Sequence, residues 1–192
     1  MMRFLRRFGR SEDGAATIEF LIWFLVFWSM LMFAFEQGMY LARQVVLDRA
    51  VDMTAREVRL GLLDDIEEML DPSLSEAERT RRLHDAIKDR VCQYSFMIPD
   101  CRNQVKLELQ RRNPRDWNSF AAGADCVDRS DPGVPDFRFE PGESNDLMVL
   151  RACALIDPYF PTTGLGARLG RGSGGAFALV AVQSFAIEPE ED

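Results

Sequence analysis

The chain has little of what marks an enzyme. One histidine, His84, occurs in 192 residues. A nucleophilic site built on it would need a nucleophile and an orienting group, and no motif supplies either. His84 reads as a surface or helix-packing residue. No C-x-x-C pair occurs, so a zinc site has no support. Gly170, Gly172 and Gly175 match G-x-G-x-x-G, but a dinucleotide site needs that motif after a strand and opening a helix. Here a strand-like run follows, no phosphate-loop lysine is present, and the stretch reads as a flexible loop. Ser173 is not in a nucleophile elbow, because Arg171 occupies the first glycine position. Asp125, Asp128 and Asp131 recur every third residue, whereas EF-hand calcium loops place ligands every second residue; a solvated loop is the reading. A basic excess is also missing: 23 Lys and Arg stand against 31 Asp and Glu, a net charge of −8. That balance suits neither nucleic acid nor an anionic membrane surface. No metal, cofactor or enzymatic activity is expected.

What is present is one long apolar run, residues 15–35, broken by a single charge, Glu19. Its 21 residues cover roughly 31 Å as a helix, enough to cross a bilayer. Arg3, Arg6, Arg7 and Arg10 precede it, so the positive-inside rule places residues 1–14 in the cytoplasm as a basic leader. Residues 36–192 then lie on the far side, with 19 basic and 28 acidic side chains, a net of −9. The run is longer than a secretory h-region of about 7–15 residues, and it ends in FAFEQG without a small-x-small cleavage site. A retained single-pass anchor in the inner membrane, in contact with lipid, is expected. A carboxylate inside it costs roughly 2.5–3.5 kcal/mol on insertion scales, so Glu19 needs a compensating role.

The far domain holds all four cysteines, Cys92, Cys101, Cys126 and Cys153. An even number on the non-cytoplasmic side reads as disulfides. Three pairings are possible, and the sequential one, Cys92–Cys101 with Cys126–Cys153, is preferred. Residues 36–60 lack proline and carry Leu47, Val51, Thr54 or Ala55, and Val58 at three- and four-residue spacing, so the membrane helix is predicted to continue to about residue 60. Gly61 is a stop signal. Ser75 to Glu78 fits the capping box S-x-x-E, opening a second helix to about Arg90 with Leu83, Ile87 and Val91 on one face. Val105, Leu107 and Leu109 then alternate with polar residues at strand spacing. Residues 112–146 read mostly as loop, and 147–156 and 176–187 as further strands. The expected fold is α+β, with a small antiparallel sheet of about three strands covering the helical stripe.

Glu19 gains meaning from Gly14. Cleavage after Gly14 would make Ala15 the first residue and Glu19 the fifth, one turn away on the same helix face. The new ammonium of one subunit and the carboxylate of a neighbour could then meet in low dielectric, where attraction is strengthened. Without such a partner, Glu19 would snorkel to the headgroups. The run Asp13-Gly14-Ala15-Ala16-Thr17-Ile18-Glu19-Phe20, followed by an apolar run and a long amphipathic helix, resembles the TadE-like minor pilins (pseudopilins) of tight-adherence, or Flp, pili. The resemblance is specific over about residues 10–60. It implies cleavage after Gly14 by a prepilin peptidase, a processing or assembly role for Glu19, and partnership with other pilin-like subunits and the pilus assembly platform. The outer domain is far larger than that of the major Flp pilin, which argues for a minor subunit; the leading reading is a minor pilin acting in assembly and surface adhesion, and able to enter an extracellular pilus. The other reading is a signal-anchored periplasmic binding module in which Gly14 is incidental.

Overall fold

A computed structural model describes residues 13–62, 74–113, 126–129, 138–143, 145–161 and 175–188. The chain divides into two units, Met1–Gly38 and Met39–Asp192. Helix α1, Asp13–Arg59, contributes to both. In the first unit its side chains from 16 to 35 are exposed, Met32 alone being half-buried. Among the described residues one helix, Ala16–Arg59, is long and apolar enough to cross a membrane, and its apolar window is wholly exposed.

In the second unit α1 changes character. Leu47, Ala50, Val51, Thr54 and Ala55 are buried, while Asp48 and Arg49 are exposed. Those buried positions recur at three and four, the spacing of one helix face. Thr54 satisfies its hydroxyl by donating to the Ala50 carbonyl, 2.9 Å away. The helix ends in a Schellman motif. Gly61 takes φ +65°, the Gly61 N–H bonds the Val58 carbonyl, and the Leu62 N–H bonds the Glu57 carbonyl. A left-handed residue at that place favours glycine.

Helix α2 spans Glu76–Tyr94, four residues beyond the expected end near Arg90. Ser75 caps it, its side chain accepting from the Glu78 N–H. A short helix α3, Cys101–Gln104, follows a left-handed Asp100 and was not foreseen. Strands β1 (Val105–Arg112), β2 (Leu147–Ile156) and β3 (Phe177–Ala186) form one antiparallel sheet in the order β1-β2-β3. Register pairs Leu109 with Leu150 and Ala152 with Ala181. Val105, Leu107, Leu109, Met148, Leu150, Ala152, Ala154, Leu179, Ala181 and Phe185 line one face and form the core with the α1 stripe and Ile87 and Val91 of α2. The architecture is α+β, a long apolar helix, a second helix and a three-stranded sheet.

The other sheet face is not simply a solvated one. Val149, Cys153 and Leu155 are buried there, and Glu108 and Arg151 pair directly across β1 and β2. Their side chains are only 3% and 11% exposed. β2 is thus covered on both faces, which accounts for its near-continuous apolar sequence.

Candidate functional site

Gly14 and Ala15 lie in the first turn of α1, and Glu19 one turn further on. Residues 15, 16, 22 and 23, the helical neighbours of Glu19, are Ala15, Ala16, Ile22 and Trp23. No basic side chain of the same helix is within i±3 or i±4 reach. Glu19 itself is exposed. As the seventh residue of a helix that begins at Asp13, it is past the first turn, where the macrodipole favours an anion. Beside it Phe20, Phe24 and Trp28 stack in a ladder, with ring centroids 5.8 and 5.9 Å apart. Arg3, Arg6, Arg7 and Arg10 lie outside the described residues, as do Asp125, Asp131, Gly170, Gly172 and Ser173.

The cysteines are paired Cys92–Cys101 and Cys126–Cys153, with Cα atoms 5.6 and 5.2 Å apart. The first ties the end of α2 to α3. The second ties residue 126 to the central strand, and Arg129 adds to that attachment. Its guanidinium donates to the Gln104 side chain, to the Leu155 carbonyl and to Asp157.

His84 packs between α2 and the sheet. Its ring meets Phe139 edge-on at 5.4 Å, and Nδ1 lies 3.0 Å from Asp85 Oδ1. Burial holds its pKa below the usual imidazole value, partly opposed by Asp85 and by a backbone hydrogen bond with Leu107. Burial likewise lowers Lys88. Glu57 joins α1 to α2, accepting from the Tyr94 hydroxyl and pairing with Arg90 at 3.0 Å. That hydrogen bond raises the Tyr94 pKa. Arg43 is buried and donates to the Tyr159 hydroxyl at 2.6 Å, its guanidinium 4.6 Å from that ring's centroid. These links join residues far apart in sequence and were not foreseen. The one usable signal was Arg151, the sole charge in LMVLRACALI. Among the described residues no cluster of ligand side chains could hold a metal.

The arrangement thus offers an apolar helix with one carboxylate near its start and a disulfide-bonded α+β unit. This combination is that of a chain with, among the described residues, one candidate membrane span and a disulfide-bonded α+β unit. Residues 14–56 match the family model described as TadE-like protein. The match begins at Gly14 and runs through the apolar part of α1 into the buried stripe. No curated protein and no solved structure matches the chain.

Proposed function

We propose that this chain is a non-enzymatic minor pilin, or pseudopilin, acting in assembly of tight-adherence (Flp) pili and in surface adhesion. The TadE-like match over residues 14–56 carries the reading. A prepilin peptidase cuts after Gly14, leaving Ala15 as the first residue. Residues 15–35 hold the product in the inner membrane, with Arg3, Arg6, Arg7 and Arg10 keeping the leader cytoplasmic. Residues 36–192 form the periplasmic domain. Two disulfides there suit an oxidising compartment.

Cleavage changes the electrostatics of the helix start. A free ammonium at a helix N-terminus opposes the macrodipole, and a carboxylate one turn on offsets it. Glu19 of a neighbouring subunit supplies that carboxylate, and the pair sets the register between packed helices. Partners are the peptidase, other pilin-like subunits and the assembly platform. The test is the mature N-terminus of the protein from its native membrane, with and without the peptidase. A chain starting at Ala15 only when the peptidase is present is the expected result. An intact leader in both strains overturns the reading and leaves a signal-anchored periplasmic binding module.

A further inference from the structure

Within the second unit, α1 and β3 lie side by side. Gln44 Nε2 donates to the Val180 carbonyl at 2.9 Å, Gln183 Nε2 donates to Asp52 at 2.9 Å, and Arg59 pairs with Glu188 at 3.0 Å. The two elements therefore run in the same direction. Register sets Ile156, the last residue of β2, against Phe177, the first of β3, and sets both Arg112 and Ala186 against Leu147. One end of this layer holds the start of β3 and residues 39–43 of α1. The other holds Arg59, Arg112, Leu147 and Ala186.

That second end is built from ion pairs. Besides Arg59 with Glu188, Arg111 meets Asp146 at 3.0 Å and Glu143 at 3.8 Å. Glu140, which follows the bridge between Leu109 and Phe139, accepts from the Arg111 N–H at 3.4 Å.

The first end is built from aromatic rings. Tyr40 meets Phe177 edge-on at 5.8 Å. Arg43 donates to the Tyr159 hydroxyl and lies over that ring. Tyr159 is still 46% exposed and Leu41 58%. Pro158 and Phe160 are half-buried, and Pro161 is exposed. Charges border this end as well. Asp157 is exposed and pairs with Arg129, and Glu36 is buried. Residues 162–174, which connect β2 to β3, lie outside the described residues; in sequence they carry Arg168 and Arg171 and no acidic residue. Arg43 is buried, its Nε has no hydrogen-bond partner, and among the described residues no carboxylate pairs with it. Tyrosine has an apolar body and a polar tip, and it concentrates where hydrocarbon meets headgroups.

The chain itself brings a bilayer to this end. Tyr40 is five positions after Phe35, the last residue of the apolar run, so the two lie no more than roughly 18 Å apart. A tether that short makes contact with the surface an intramolecular event. We propose that the aromatic end is a lipid-contact surface, with Leu41, Tyr159 and Phe160 seated among the headgroups of the bilayer that residues 15–35 cross. Arg43 is a positioning residue. It holds the Tyr159 ring, and headgroup phosphates supply the counter-charge that its own surroundings lack. Residues 36–192 carry a net charge of −9, so the rings hold the contact and a zwitterionic headgroup suffices. The inference rests on residues 15–35 crossing a bilayer, and on neither cleavage after Gly14 nor a place in a pilus.

The test uses the full chain in phosphatidylcholine nanodiscs, labelled with fluorotyrosine and fluorotryptophan. The tyrosines are Tyr40, Tyr94 and Tyr159, and the tryptophans are Trp23, Trp28 and Trp117, so each fluorine signal can be assigned by single replacements. A nitroxide on the lipid headgroup or deep in the acyl chain broadens the fluorines near it. Tyr94 is the reference, because it is bound to Glu57, about 25 Å along α1 from Tyr40. The expected result is that the headgroup nitroxide removes the Tyr159 signal, weakens that of Tyr40 and spares that of Tyr94. Leu41→Glu should restore part of the Tyr159 signal, and Val182→Glu, at a position 48% exposed in the middle of β3, should not. Recovery in both variants or in neither overturns the proposal. A Tyr159 signal as sharp as that of Tyr94, while the acyl-chain nitroxide removes those of Trp23 and Trp28, overturns the lipid contact and leaves the span standing. Trp23 and Trp28 signals untouched by the acyl-chain nitroxide overturn both. A Tyr159 signal that ignores the headgroup label and shifts with the protein-to-lipid ratio overturns the lipid contact and assigns this end to a second copy.

Discussion

The two halves of α1 share one backbone geometry and differ in everything else. Residues 16–35 are apolar around almost the whole circumference and exposed on every side. Residues 47–56 bury Leu47, Ala50, Val51, Thr54 and Ala55 on one face and leave Asp48, Arg49 and Arg56 exposed. A helix that is apolar all round requires an apolar solvent; one with a stripe requires a folded partner. The first half is therefore suited to cross a bilayer, and the second is held by packing. Side-chain links follow the same division. The disulfides and ion pairs described above all lie in the unit Met39–Asp192.

If that contrast is right, equal truncations in the two halves should have unequal effects. Leu47→Ala removes a fully buried side chain and should cost the folded unit about 2–5 kcal/mol, read from hydrogen exchange of the β2 amides in micelles. Leu25→Ala, in the exposed apolar half, should leave those amides unchanged. Equal losses from both would show that the division is false. Next in size are the disulfides. Replacing Cys126 and Cys153 by serine opens a bridge of sequence separation 27 and should cost roughly 3.5 kcal/mol by loop entropy. The same change at Cys92 and Cys101, separation 9, should cost roughly 2.5–3 kcal/mol. Ser75→Ala deletes the α2 cap and should cost about 1 kcal/mol, visible as faster exchange in the first turn of α2.

The smallest effect is a pH slope. Burial lowers the His84 pKa in the folded state, so the unfolded chain takes up the proton first. The stability that neutral His84 contributes is present above an unfolded pKa of about 6.5 and is lost as pH falls through the lowered folded value. Thermal melts between about pH 7.5 and pH 5 should show this loss, and His84→Gln should flatten it.

The elements were legible because each carries its own period. The α1 stripe, the Ser75 cap, the Gly61 stop and the alternation in β1 are local signals, and each corresponds to a feature of the structure. The second sheet face was not legible. Lys106, Glu108 and Gln110 alternate as solvated residues do, yet Glu108 is buried against Arg151, 43 positions away. A local period shows which residues share a face but not what covers that face. For the same reason α3 and the Phe139 bridge escaped notice, since long-range packing fixes both. At the candidate site, Glu19 stood out as the only charge in an apolar run. The role proposed for Gly14 rests on its place before Ala15 and Glu19 and on resemblance.

The pairing of β3 with α1 sets a clock on biogenesis. Gln44 and Val180 are 136 positions apart, and Asp52 and Gln183 are 131 apart. Chains lengthen at about 5–20 residues per second, so the apolar stripe of α1 exists for roughly 7–27 s before the strand that covers it has been made. The stripe of α1 thus waits for β3. During that interval Leu47, Val51 and Ala55 need shelter from other nascent chains, and the unit can close only after β3 has been made.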